Sequence, residues 1–551
     1  CKNIPALQRL LASASGNNIV LDISTIQLLV ADCALHLFLS KNNTHINANT
    51  NLLLGFLVNE LSIGEYDCLI SELIDDTDSA ISFCKENPLL FNMEYIYEAD
   101  EDILGLIYIS CKNIGNRKAT GSYYTSTKVV KNLISRLSFQ EPVKVLDPCC
   151  GTGNFLLQLP GVLPFDSIYG NDIDAASVKI TRLNMALKYN VPVAAIYEHI
   201  TGQDYLTDYA EKDFQYIIGN PPWGYDFSEE EKSHLRTIYK SATGKNIESY
   251  DVFIEQALNH LTDNGHLAYV LPEAILNVKA HTNIRKTILE NCSIKNLVFL
   301  GNAFDGVQCP CIILDLQCTR SPLSTVGMNV NTGTASFTIN IERTVSAEYF
   351  SFTTSDAEYN VLCKIRSMPN SAYLLDNADF ALGIVTGNNK EYISDIKNDN
   401  NEMILKGADI CKYHITRTNN YIVFKPENFQ QAAPTEMYRS PEKLLYRFIS
   451  SQLVFAYDDK QTLSLNSCNI VIPRLPGIKI KYVLAIFNSR IAQFIYKKEF
   501  NSVKVLRSHI ENIPIPTADA STQAEIIALT DKLISGLQSD KAEKVYDELD
   551  L

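Results

Sequence analysis

Tryptophan is nearly missing from this sequence: Trp223 is the only one in 551 residues. Also missing is any uninterrupted apolar run of the roughly 18–20 residues that a membrane-crossing helix needs, so insertion into a bilayer is not expected. The most apolar early stretch, Ile19 to Ser40, carries Asp22, Asp32 and His36; it reads as an amphipathic helix and not as a signal peptide. The chain opens on Cys1 where Met would stand, as after removal of a native N-terminus. There is no internal repeat and no low-complexity tract. Fourteen cysteines are present, yet no pair of Cys-x-x-Cys knuckles occurs. The close pairs, Cys149-Cys150 and Cys309-Pro310-Cys311, lack His or Cys partners at zinc-finger spacing, so no metal site is expected. Scattered cysteines of this kind fit free thiols in a reducing cytoplasm.

What is present fits a large globular chain. Hydrophobic residues make up 46% and charged residues 20%, and the length calls for two or three domains. A net charge of −15 argues at first against a polyanionic partner. Its distribution argues the other way. Residues 1–110 hold 4 Lys/Arg against 15 Asp/Glu, whereas residues 439–511 hold 12 Lys/Arg against 5 Asp/Glu. Local charge and not the total sets counterion release, so one basic face is enough to meet phosphates.

Texture divides the chain. Up to about residue 110, apolar positions recur at helical spacing through Ile26, Leu29, Ala34, Leu35 and Leu37 and again from Leu52 to Leu61, predicting a small acidic helical domain. From about 120 to 318, short apolar strands alternate with helices: Val143 to Leu146, Ser167 to Tyr169, Tyr216 to Ile218, Leu267 to Leu271, Leu297 to Leu300 and Cys311 to Leu316. Such alternation predicts a doubly wound α/β sheet. After about 325 the pattern turns to Thr/Ser/Asn-rich turns and mixed strands, with a helix from Val483 to Tyr496, predicting a separate α+β domain.

Chemistry concentrates in the α/β region. In Val145-Leu146-Asp147-Pro148-Cys149-Cys150-Gly151-Thr152-Gly153-Asn154-Phe155 a Gly-x-Gly turn links a strand to a helix, at the edge where open α/β sheets bind ligands. Gly151 and Gly153 let backbone approach a ligand closely, and the helix start offers unpaired N–H groups to an anion. The next strand ends in Gly170-Asn171-Asp172-Ile173-Asp174, placing Asp172 where a ribose diol would need an acceptor. Gly202-Gln203-Asp204-Tyr205 sets a carboxylate beside an aromatic, suited to an adenine amino group and its ring face.

The decisive segment is Tyr216-Ile217-Ile218-Gly219-Asn220-Pro221-Pro222-Trp223. Two prolines end the strand and fix φ twice, so the loop presents the Asn220 side chain and main-chain carbonyls rigidly. An exocyclic amine is a poor nucleophile because its lone pair is delocalised into the ring. Two acceptors, the Asn220 oxygen and a neighbouring carbonyl, can hold both its N–H groups and draw the nitrogen towards tetrahedral geometry. Trp223 can stack on an extruded base.

With these motifs the chain resembles the amino-methyltransferases, and among them the gamma-class, TaqI-like DNA adenine-N6 methyltransferases, over about residues 110–515. The resemblance implies a Rossmann-like S-adenosylmethionine-dependent methyltransferase sheet (111–322), between an N-terminal helical domain (1–110) and a C-terminal α+β target-recognition domain (323–551). It implies that Thr120-Gly121-Ser122-Tyr123-Tyr124-Thr125 closes over the methionine part of the cofactor. Asp147, Cys149 and Gly151 would lie at the methionine group, Asp172 and Ile173 at ribose and adenine, and Asp204 and Tyr205 at adenine. Phe304, in Gly301-Asn302-Ala303-Phe304-Asp305, would pack on the flipped base from the side away from Trp223. Ala381 to Lys390 resembles the opening of a recognition domain, and Lys443-Leu444-Leu445-Tyr446-Arg447 a later strand of it, with Lys443 and Arg447 on the DNA. Trp223 departs from the commoner Tyr or Phe, which narrows the pocket; Asn220 in place of Ser favours adenine over cytosine-N4.

The implied partner is duplex DNA, in a restriction–modification system or an orphan methylation system, in the bacterial cytoplasm. The same Asn-Pro-Pro-aromatic motif occurs in RNA and protein-glutamine methyltransferases, and a non-catalytic DNA-binding subunit is a reading from another class. The large C-terminal region opposes the protein-glutamine reading, and the intact glycines and Asn220 oppose the non-catalytic one.

Overall fold

The structure, a computed structural model, describes residues 2–17, 19–44, 50–112, 124–140, 143–304, 308–416, 418–500 and 502–536. It divides into two units, Cys1–Phe352 and Thr353–Leu551. Thr120 and Tyr123 lie outside the described residues.

The first unit opens with helices α1 (Ile4–Gly16), α2 (Ile23–Lys41), α3 (Leu52–Leu57), α4 (Asp67–Ser71), α5 (Thr77–Glu86) and α6 (Ile103–Cys111). Side-chain caps start four of them: Asp22, Asn51, Asp76 and Asp102 each accept a backbone N–H of the first turn, which satisfies a donor that the helix itself cannot. Helix α2 is long and apolar enough by composition to cross a membrane, but every residue from Thr25 to Phe38 is buried within the protein. The amphipathic face expected of this stretch is therefore not found; its one internal carboxylate, Asp32, is buried and accepts the Leu53 N–H at 3.2 Å.

The sheet that follows contains β1 (Val145–Asp147), β2 (Ile168–Asn171), β3 (Ile200–Thr201), β4 (Phe214–Gly219), β5 (Leu261–Pro272), β6 (Cys292–Asn302), β7 (Pro310–Cys318), β8 (Asn329–Asn331) and β9 (Ser336–Thr338), in the order β3-β2-β1-β4-β5-β7-β6-β8-β9. Strands β3, β2, β1, β4 and β5 run parallel, and β7 is antiparallel to both β5 and β6. All six strands expected from the sequence appear here; the parallel ones, covered by helices on both faces, read as continuous apolar runs, and β7, buried from Cys311 to Leu316, does so as well. Chain order reverses on either side of β1, so the crevice beyond the carboxyl ends of β1 and β4 is the place where such a sheet binds ligands.

One apolar core runs from Ala6 to Phe352 and contains both the N-terminal helices and the sheet. Residues 1–110 are thus not set apart as expected, because α2 and α6 are buried against the sheet's own helices. The unit also reaches past residue 322: Met328, Val330, Ile339, Phe350 and Phe352 belong to the same core.

Among its described residues the second unit holds two four-stranded sheets and a two-stranded one that pairs Ser371–Ala372 with Ile515–Pro516. One has the order Ala378–Ala381, Cys468–Pro473, Lys443–Arg447, Phe455–Asp458, all antiparallel. Alternation along its strands feeds two cores: Leu444, Tyr446, Phe455 and Val471 face one, and Leu445, Ala456 and Ile470 face the other, as the period of two requires. The helix expected from Val483 to Tyr496 is instead two, Ile480–Asn488 and Arg490–Ile495, separated where Ser489 caps the second.

Candidate active site

Strand β1 delivers Asp147 to the crevice, and the chain then turns on glycines. Gly151 (φ 53°) and Gly153 (φ 90°) adopt left-handed conformations that side chains with a Cβ resist. Nothing lies within 4 Å of where a Cβ on Gly151 would stand, so the turn faces open space. Its back is tied down: Thr181 Oγ1 donates to the Gly151 carbonyl at 2.7 Å, and Asn184 Nδ2 donates to the Thr152 carbonyl at 2.7 Å. The end of β2 joins it from the side. Asp172 accepts the Gly151 N–H at 2.8 Å on one carboxylate oxygen and the Asp174 N–H at 2.9 Å on the other. Burial raises its pKa to about 6 against these two bonds. Ile173 beside it is 73% exposed, a large apolar surface left open at the rim of a polar crevice.

The Asn-Pro-Pro-Trp loop lies against this turn. Strands β1 and β4 pair side by side, Leu146 opposite Ile217, and Gly219 follows at φ 145°. A Cβ on Gly219 would stand 2.6 Å from Asp147 Oδ1; only glycine lets the loop's entry pass so close to that carboxylate. Asn220 then donates from Nδ2 to Thr125 Oγ1 at 3.1 Å. Thr125 is held in turn by Asn154, the first residue of the helix after the glycine turn, whose Nδ2 donates to the Thr125 carbonyl at 2.7 Å. The amide of Asn220 is thereby oriented, and its Oδ1 is buried without a hydrogen-bond partner. Ser249, first residue of the helix Ser249–His260, donates to the Pro222 carbonyl at 2.5 Å and fixes the loop's far end.

The structure thus brings together Thr125, Asp147, Cys149, Gly151, Gly153, Asp172, Asn220, Pro221 and Pro222. Asp147 is fully buried: one oxygen accepts the Cys149 N–H at 3.2 Å and the other has no partner. Burial and the neighbouring Asp172 charge push its pKa well above the usual carboxylate range. A buried acceptor of this kind fits an ammonium group, and the open glycine turn fits the chain that carries it. Tyr124, which precedes Thr125 in the chain, is half-buried.

Three expected roles are changed by the geometry. Tyr205 turns inward, 2% exposed, with its ring against Tyr209, Phe253 and His260; it is a core residue, and only Asp204, half-buried and accepting the Leu206 N–H at 2.8 Å, remains at the strand end. Phe304 meets Trp223 directly, edge to face, at 4.8 Å between centroids. A base held between two rings needs two van der Waals gaps of about 3.5 Å each, so these rings have to part before a base can lie between them. Lys443 is fully buried and cannot reach a phosphate. It stands opposite Asp458 across the strands, Nζ 2.6 Å from the carboxylate, and donates to the Tyr438 carbonyl at 2.7 Å. Arg447 is half-buried and donates through Nε to the Ile410 carbonyl at 2.7 Å. Of the basic residues in 439–511, Arg439, Lys443, Arg474, Lys481, Lys498 and Arg507 are all in ion pairs, which thins the patch counted from sequence. Asn388, Asn389 and Lys390 are exposed, in the segment anchored where Val385 bridges Gln431.

Sequence reading missed the supporting residues Asp102, Asn154, Asn184 and Ser249. A capping pattern marks Asp102 as a helix start, but nothing local in the chain shows which turn 50 residues on it also grips.

A doubly wound sheet with a reversed β7, a glycine turn after β1 and acids at the ends of β1 and β2 defines the fold of an S-adenosylmethionine-dependent methyltransferase. Residues 99–338 match the family model for N-6 DNA methylase, and residues 402–515 match that for the TaqI-like C-terminal specificity domain. The type II methyltransferase M.VspI of Vibrio sp. (strain 343) is 29% identical over 331 residues, 59% of this chain and 79% of that enzyme. The type II methyltransferase M.HincII of Haemophilus influenzae is 23% identical over 199 residues, 35% of this chain and 36% of its own length. Among solved structures, that of the type IIL restriction-modification enzyme MmeI in complex with DNA aligns with a TM-score of 0.62 at 12% identity, covering 100% of this chain and 95% of that one. In these two regions the chain carries the N-6 DNA methylase domain and the C-terminal specificity domain that mark the TaqI-like N6 adenine DNA methyltransferases.

Proposed function

We propose that this protein methylates N6 of an adenine swung out of duplex DNA, and that the unpartnered Asn220 Oδ1 at the carboxyl end of β4 is the observation that carries the reading. S-adenosylmethionine, when bound, supplies an electrophilic methyl group on sulfur. Asp147, Cys149, Gly151 and Gly153 would hold its methionine part, Asp172 the ribose hydroxyls, and Ile173 and Asp204 the adenine. Thr120 to Thr125 would cover it. Asn220 Oδ1 and a carbonyl of the proline pair would each accept one N–H of the target amine. That removes conjugation with the ring and leaves the nitrogen lone pair aimed across the crevice, towards the glycine turn. Transfer would leave a neutral thioether where the sulfonium stood and a positively charged nitrogen, which sheds one of its N–H protons to water, so no strong base is needed for this step. Trp223, once clear of Phe304, offers an aromatic face to the base and offsets part of the few kcal/mol lost on unstacking.

The second unit would select the site on DNA, through exposed polar groups such as Asn388, Asn389 and Lys390. The enzyme would work in the bacterial cytoplasm, beside a restriction partner or alone. Asn220→Ala tests the core of this reading. It should lower methyl transfer to DNA by about a thousandfold, the worth of a preorganised hydrogen-bonding group, while cofactor affinity by calorimetry changes little. Equal losses in both would remove Asn220 from the reaction. Methylation-sensitive sequencing of DNA from cells with and without an active copy identifies the target, and finding no modified adenine would reject the proposal.

A further inference from the structure

The N-terminal helices supply no group to the reaction, yet one of them grips both cofactor loops. At its start, Asp102 is 4% exposed and accepts three hydrogen bonds: from the Gly105 N–H at 2.8 Å, from Asn184 Nδ2 at 2.8 Å, and from Thr152 Oγ1 of the glycine turn at 2.5 Å. The contact is close enough that a Cβ on Gly105 would stand 2.1 Å from Thr152 Oγ1 and 2.1 Å from Asp102 Oδ2. Six residues on, about 9 Å along a helix, Tyr108 donates its hydroxyl to Asp174 Oδ2 at 2.8 Å, and Lys112 Nζ stands 3.9 Å from the same carboxylate. Asp174 is the residue whose backbone N–H holds Asp172 Oδ1.

We propose that α6 is a two-ended clamp on the cofactor site, with Asp102, Gly105 and Tyr108 as positioning residues that fix the spacing between the glycine turn and the Asp172 loop. It rests on the reading that these loops bind S-adenosylmethionine. A ligand that must meet both loops at once binds more tightly when their separation is set beforehand, because the ordering is complete before it arrives. One helix reaching both loops sets that separation; two independent tethers would not.

The experiment is calorimetric titration of the full chain with S-adenosylmethionine, beside thermal melting of the same samples. Tyr108→Phe deletes one oxygen and keeps the ring. It should weaken cofactor affinity by about tenfold, the loss of one hydrogen bond to a charged group, and raise the cofactor KM with kcat unchanged. In a double-mutant cycle with Asp174→Asn the two losses should sum to less than additive, since the Tyr108–Asp174 contact is common to both; Asp174→Asn alone also alters the contacts of that carboxylate with Ser177 and Lys112. Gly105→Ala should weaken affinity further, by driving α6 off Thr152; should that variant not fold, Tyr108→Phe decides. Wild-type affinity in Tyr108→Phe, with or without a lower melting temperature, overturns the clamp and leaves the functional reading intact. Absence of binding by the wild-type chain overturns both.

Discussion

Lys443 shows how a residue's chemistry depends on its register. As part of a basic stretch it looks available to phosphate; in the sheet it is the cross-strand partner of Asp458, with 0% of its side chain exposed. Lys443→Met leaves Asp458 buried with only the Lys460 and Thr462 N–H groups and the Thr462 hydroxyl. Breaking a buried pair from one side costs about 3–5 kcal/mol, so urea unfolding should show a loss of that size. Affinity of the still-folded variant for duplex DNA should hold; lost DNA affinity at unchanged stability would return Lys443 to the interface. Asp172 supports a prediction on pH. Burial raises its pKa from 3.8 to about 6, so without ligand the folded chain keeps this proton up to about pH 6, and the stability it contributes is lost as the pH rises from about 4 to about 6. A cationic cofactor whose hydroxyls donate to the carboxylate favours the ionised form. Through Asp172, affinity for S-adenosylmethionine should therefore fall as the pH drops below about 6, by up to about tenfold per pH unit. Calorimetry from about pH 5 to 8 checks this, and Asp172→Asn should flatten the profile; a level profile in the wild type would take Asp172 out of the binding equilibrium.

Elements were legible in the sequence where both faces of a strand are buried. Six strands of the sheet stand out because residues such as Ile217, Ile218 and Leu267 to Leu271 must be apolar on either side. The strands that escaped, β3, β8 and β9, are two or three residues long and contain Thr201, Asn329, Asn331 and Ser336; β3 and β9 are the sheet's two edges and β8 lies next to one of them, where polarity is tolerated. The glycine turn and the Asn-Pro-Pro-Trp loop were legible because left-handed backbone and fixed φ leave marks in residue type. Contacts across the fold leave no such mark. Thr125 holding Asn220, Ser249 holding the Pro222 carbonyl and Asp102 holding Thr152 join residues 95, 27 and 50 positions apart. The interior of α2 was misread for a related reason: Asp32 and His36 look like one wet face, whereas burial removes both charges, raising the carboxyl pKa and lowering that of His36 to about 4.

At the scale of the whole molecule, the two units carry separate cores, one from Ala6 to Phe352 and two on the faces of the Lys443–Arg447 sheet. Everything assigned to the cofactor lies in the first. The chain's only tryptophan, Trp223, lies there too, so its fluorescence reports melting of that unit alone, while circular dichroism sees helices and strands in both. A ligand that binds only the folded first unit stabilises it by mass action, about 2.7 kcal/mol at a hundredfold excess over Kd. For a unit of this length that corresponds to a rise of about 4 °C. The fluorescence transition should move by that amount with S-adenosylmethionine, and a second transition, visible by dichroism or calorimetry, should stay in place. If instead the dichroism shows one transition that coincides with the fluorescence and shifts as a whole, the separate cores do not melt separately, and the two units are coupled more tightly than their division into distinct cores implies.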